Sequence, residues 1–153
     1  MALTHEYQAT VSWTGSTGAG YEQYTRQHTV TSKPAQASLT LSADPAFRGD
    51  AALLTPEQLI VLAAASCQLL SFLAVAARAR IDVVSYEDSA TAAMPEANRP
   101  MWVTKILLRP KITVRGDASV ERLLHLAEVA HRECFIANSL KTEIVVEPTF
   151  QKL

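Results

Sequence analysis

Residues 55–80 constrain this chain more than any other stretch. Thr55-Pro56-Glu57-Gln58 supplies a hydroxyl for an N-cap, a proline at the first helical position, an acid in the first turn and a glutamine to close a capping box. A helix is therefore predicted to start at Pro56. From Leu59 to Ala77 only Ser66, Gln68 and Ser71 are polar, and Arg78 and Arg80 mark the C-terminal end. A helix apolar on nearly all sides must be covered on nearly all sides. The run approaches the length of a membrane span, but it is alanine-rich, and ordinary amphipathic strands and a second helix follow it. It therefore reads as a central core helix wrapped by sheet, with no membrane partner.

The rest of the chain gives the order β, long helix, β, helix, β, an α+β pattern read as one domain over residues 1–153. His5 to Trp13 alternates between apolar and polar residues, and Tyr21 to Thr31 is rich in Tyr and Thr, so both read as strands joined by the Gly15–Gly20 loop. No Gly-Lys-Ser/Thr follows that loop, so it is not a phosphate cradle. Ala37 to Ser42 adds a third short strand. Asp82 to Met94 and Met101 to Arg115 read as strands around a turn at Pro95, Asn98 and Pro100, with Pro110 marking an edge or bulge. Asp117 is expected to cap a second helix whose apolar stripe of Val120, Leu123, Leu124, Ala127 and Ala130 leads to Cys134. Thr142 to Phe150 closes the chain as a strand.

Only 19% of residues are charged, a shortage that hints at extra buried surface such as a subunit interface. Fourteen Lys and Arg against 15 Asp and Glu leave a net charge of -1 with no basic block, which removes the footprint that nucleic acid requires. The start lacks the charged and apolar regions of a secretory signal, so a reducing, cytoplasmic setting is expected and a structural disulfide is not.

Chemistry narrows quickly. His131 and Cys134 have a metal-compatible spacing, and His125 lies on the same helix, but no further ligand is suitably spaced, so no metal or cofactor is expected. No Gly-x-Ser-x-Gly elbow supports a serine hydrolase. What remains is the pair of thiols, Cys67 and Cys134. Cys67 lies about eleven residues into the long helix, beyond the field of its N-terminus, so a reactive Cys67 needs a cation brought to it. Arg48, in the loop Asp44–Asp50, and Arg26, in the first hairpin, are the candidates. Glu57 is the nearest suitable carboxylate in sequence to Arg48. Glu57 and Cys67 are separated by a rise of about 15 Å, so an arginine must bridge them or Glu57 must come from a second chain. Two such helices packed antiparallel would also cover each other's apolar surface.

Thr55-Pro-Glu-Gln-Leu, then Ala65-Ser-Cys67, Asp82-Val-Val-Ser-Tyr-Glu-Asp88 and His131-Arg-Glu-Cys-Phe-Ile-Ala-Asn-Ser139 together resemble the OsmC/Ohr family of thiol-dependent peroxidases. The resemblance covers roughly residues 40 to 148. It implies an α+β fold in which two chains intertwine as a homodimer, with active sites at the interface and reduction of organic hydroperoxides or hydrogen peroxide. By the same resemblance Cys67 matches the peroxidatic cysteine, Cys134 the resolving cysteine, and Glu57 the carboxylate that holds the arginine; the spacing of Arg48 to Glu57 favours Arg48 over Arg26. A redox-active disulfide would then be reduced by an external dithiol, and the protein would serve an antioxidant stress response. Thr55 stands where the family commonly has Asn and keeps the cap. Gln68 stands where many relatives have an aromatic residue or His, which bears on substrate preference. Leu70, Phe47 and Trp102 are candidates to line a substrate pocket. The alternative is a dimeric binding module of the same fold with two inert thiols.

Overall fold

The computed structural model describes all residues 1–153, which group into two compact units, Met1–Leu59 and Ile60–Leu153. In the first, β1 (Thr10–Ser12), β2 (His28–Thr31) and β3 (Ser38–Leu41) form an antiparallel meander in which Val30 pairs with Val11 on one side and Leu39 on the other. The first two strands are shorter than the alternation predicts, and for β2 Arg26 supplies the reason. Its guanidinium binds the carbonyl oxygens of Tyr24 and, at 2.6 Å, Tyr21, and lies 3.8 Å and 4.5 Å from their ring centroids. The Trp13 indole donates to the Thr25 carbonyl at 2.8 Å. Carbonyls spent on side chains leave Tyr21 to Gln27 outside the ladder.

A closed loop follows β3. The Ser42 amide donates to the Leu54 carbonyl at 2.9 Å, and the Ser42 hydroxyl accepts the Asp50 amide at 3.0 Å. Inside it a 3-10 turn, Pro45–Phe47, is capped by Asp44. Only glycine fits at Gly49, where a Cβ would stand 1.6 Å from the Ala43 carbonyl oxygen.

The long helix α1 (Pro56–Arg78) starts at the predicted residue. Gln58 Oε1 accepts the Thr55 amide at 2.9 Å and Thr55 Oγ1 accepts the Gln58 amide at 3.3 Å, the reciprocal bonds of a capping box. By length and hydropathy α1 is fit to cross a membrane. Its face of Ala64, Gln68, Phe72, Val75 and Ala76 is instead buried in protein, while Leu62, Leu70 and Leu73 on other faces stand exposed.

The second unit builds two sheets against that buried face. Its strands are β4 (Asp82–Asp88), β5 (Thr91–Ala93), β6 (Lys105–Leu108), β7 (Pro110–Arg115), β8 (Glu143–Val146) and β9 (Thr149–Lys152). Each long strand predicted from sequence breaks at a corner, and its halves enter different sheets, ordered β4-β7-β9 and β5-β6-β8. Pro110 has no amide hydrogen to donate, and the Arg109 amide turns to Asp88 Oδ1 at 2.8 Å. Pro148 breaks the last run in the same way. The β4/β7 and β5/β6 pairs are antiparallel, whereas β7/β9 and β6/β8 are parallel, so both sheets are mixed.

Helix α2 (Val120–Glu133) is capped by Ser119, whose Oγ accepts the Arg122 amide at 3.2 Å; Asp117, the expected cap, lies two residues too early. Phe72, Val75 and Ala76 pack with Ile112, Val114, Leu123, Ala127 and Ala130 in one core cluster; Ala64 packs with Val103, Ile106 and Leu108 in the other. The Cys67–Gln68 turn of α1 falls between the two, where the chain also passes from one sheet to the other.

Candidate active site

Cys67 is half-buried and Cys134 is 2% exposed; both are free thiols. The helical stripe carries Cys134 to the core side as expected, but α2 stops at Glu133. Cys134 is both its C-cap and the N-cap of the short helix α3 (Phe135–Ser139), with an extended backbone at φ -66° and ψ 114°. Its carbonyl accepts from the Asn138 amide at 3.0 Å and from Asn138 Nδ2 at 2.9 Å, which holds the joint between the helices. The Cys134 thiol is influenced by the nearby Cys67 and by the amides of Ala137 and Ile136. Burial pushes the Cys134 thiol up to about 11; the Ala137 and Ile136 amides pull it down, and Cys67 adds to the rise. At neutral pH Cys134 is a thiol beside its partner, not a thiolate.

The charged candidates are in the first unit. Arg48 ends the 3-10 turn in a left-handed conformation (φ 66°), and its Nη1 pairs with Glu22 at 2.6 Å. It does not pair with Glu57, the carboxylate suggested by spacing. Both members of the Arg48–Glu22 pair are half or more exposed, so the pair is weak and Arg48 is readily released from it. Arg26 is held by two carbonyls and two aromatic faces with no carboxylate partner. Glu57 is half-buried in the first turn of α1. Phe47 and Leu70 are exposed, and Trp102 is half-buried, with the Lys141 ammonium 4.4 Å from its ring centroid.

The structure also buries several polar atoms without a hydrogen-bond partner. Gln68, 1% exposed, donates to the Ala127 carbonyl at 3.4 Å and leaves its Oε1 unpartnered. Tyr86 Oη, Asp88 Oδ2 and His131 Nδ1 are likewise buried with no hydrogen-bond partner. Burial raises the Tyr86 phenol well above its ordinary range, and the charges of Asp88 and Cys134 add to the rise. Burial also raises the Asp88 carboxyl, opposed by the amide and charge of Arg109. The sequence signal for these two was only the period-2 spacing that turns both to one side of β4.

The sequence profile of the OsmC-like protein family matches residues 49–149. The chain belongs to this family. Its structure is similar to that of an OsmC-like protein of unknown function from Vibrio cholerae, with 32% identity, coverage of 95% of this chain and 100% of that one, and a TM-score of 0.85. An organic hydroperoxide resistance protein from Elizabethkingia anophelis shares 18% identity over 100% of both chains with a TM-score of 0.72. Another from Bacillus subtilis shares 17% over 96% of this chain and 98% of that one with a TM-score of 0.62. At those identities the last two support the fold alone. No curated protein matches significantly. The α+β fold expected from the family resemblance is the one observed.

Proposed function

We propose that the chain is a thiol-dependent peroxidase that reduces organic hydroperoxides, working as a homodimer of one OsmC/Ohr-like domain over residues 1–153. The observation that carries this reading is the half-buried Cys67 set beside the buried Cys134, a nucleophile with access next to a protected thiol. The Cys67 thiolate attacks the outer peroxide oxygen, the O–O bond breaks, the alcohol leaves after taking a proton, and Cys67 becomes a sulfenic acid. The Cys134 sulfur then attacks the Cys67 sulfur; the S–O bond breaks and water leaves. An external dithiol reduces the disulfide by exchange. Arg48, freed from Glu22, is the cation we assign to the thiolate, and Glu57 the carboxylate that holds it there. A second copy of the chain covers the bare face of α1.

Thiol titration before and after addition of cumene hydroperoxide tests the reading. The peroxidase loses both thiols of the chain within seconds; a binding module of the same fold keeps both.

A further inference from the structure

Nothing in the local sequence obliges α2 to stop at Glu133. Residues 131–139 contain no glycine and no proline, and helical geometry resumes at Phe135, so Cys134 is the single residue out of helical conformation between α2 and α3. A break of this kind strands the carbonyls of the last turn, which lose the amides that an unbroken helix would bring to them.

One side chain makes good the loss. In a continuous helix the Arg132 carbonyl would take the Ile136 amide; here it takes Asn138 Nδ2 at 2.9 Å. The same Nδ2 donates to the Cys134 carbonyl at 2.9 Å, and the Asn138 backbone amide donates to that carbonyl at 3.0 Å. With the Cys134 amide bonded to the His131 carbonyl at 3.2 Å, both backbone polar groups of Cys134 are engaged. Asn138 is itself exposed, so burial of apolar surface does not account for its place.

The joint lies where a disulfide needs it. Arg122 Nη2 donates to the Ala79 carbonyl at 3.0 Å and Gln68 Nε2 to the Ala127 carbonyl at 3.4 Å, so α2 runs antiparallel to α1 and its later turns advance towards Cys67. Resting on the peroxidase reading, we infer that Asn138 is a positioning residue for the resolving step, a latch that holds the joint so that the Cys134 sulfur stays turned to Cys67. In that step the Cys134 sulfur bonds to the Cys67 sulfur, the S–O bond of the sulfenic acid breaks, and the departing hydroxide takes the thiol proton and leaves as water. Asn138 touches neither sulfur. It acts through the Cys134 backbone, by keeping one sulfur at a high effective concentration beside the other.

Dithiobisnitrobenzoate reads the attack of Cys134 apart from peroxide chemistry. Cys67 displaces one thionitrobenzoate and holds the other as a mixed disulfide, and attack by Cys134 releases the second. In the full-length protein, Asn138→Ala removes the side-chain grip, and Asn138→Asp sets a carboxylate oxygen against the two carbonyls in place of the donor. Each is expected to leave the first release unchanged and to slow the second by about tenfold or more. The effective concentration of the two thiols, measured by equilibration with reduced and oxidised glutathione, should fall by the same factor. Ser139→Ala, which loses a bond within α3 from its hydroxyl to the Phe135 carbonyl at 2.7 Å, should alter neither. The latch is overturned by a second release that is unaltered in the Asn138 variants, by one that slows equally in Ser139→Ala, or by one that slows with the effective concentration unchanged. Asn138→Asp keeps the backbone bond and the side-chain size, and decides the matter if Asn138→Ala does not fold. A parent that releases only one thionitrobenzoate overturns the latch as well. A parent that releases both yet consumes no peroxide sinks the peroxidase reading alone, and the latch stands or falls on these variants.

Discussion

Cys67 and Cys134 stood out in the sequence as the candidate pair because thiols are few and their settings were readable: one in the middle of an apolar helix, the other on a core-facing stripe. The choice of counter-ion was not legible. Glu22 and Arg48 meet through two loops of the first unit, and no local spacing rule connects them. Tyr86 and Asp88 went unassigned because being buried without a partner is a property of packing. The high pKa of Cys134 gives a pH prediction with a definite sign. A thiol raised to about 11 stays protonated and slow below that value, so native-state alkylation at neutral pH should label Cys67 first. Cys134 should be labelled only as pH approaches that range or when the chain is unfolded; equal labelling at pH 7 would contradict its burial. Arg48→Ala should lower the rate of Cys67 alkylation with the fold intact. If Arg26→Ala does so instead, the cation is Arg26, and the cost of moving it from its two carbonyls becomes part of the mechanism.

Element boundaries were legible where side chains act on their own backbone. The capping box set the start of α1 to the residue, and Thr55→Ala should cost about 1 kcal/mol in denaturant unfolding while Thr55→Ser costs little. The single strands read over residues 82–94, 101–115 and 142–150 each proved to be two. Proline marked two of the breaks, but which sheet each half joins is set by the core it covers, Phe72 and its neighbours for β7, Ala64 and its neighbours for β6. Phe72 is fully buried in the first of these clusters, so Phe72→Ala should cost about 3–5 kcal/mol in the same assay. A loss below about 1 kcal/mol would mean that α1 is not seated on that sheet as described.

Across the whole molecule, the low charge fraction and the bare side of α1 have one explanation in the account, a second copy of the chain. Leu62 and Leu70 are 53% and 63% exposed on a helix that is apolar throughout its length. Light scattering at micromolar concentration should give twice the chain mass, and Leu70→Glu should shift the protein towards monomer or aggregate; a stable monomer for the parent removes the dimer. The central claim is that peroxide joins the two thiols through Cys67. Intact-mass measurement after one equivalent of cumene hydroperoxide tests it most directly. The account predicts a parent chain two hydrogens lighter with Cys67 linked to Cys134, a Cys134→Ser chain that gains oxygen at Cys67 and proceeds to sulfinic acid under excess peroxide, and a Cys67→Ser chain that does not change. A parent that keeps its mass and both free thiols would contradict it.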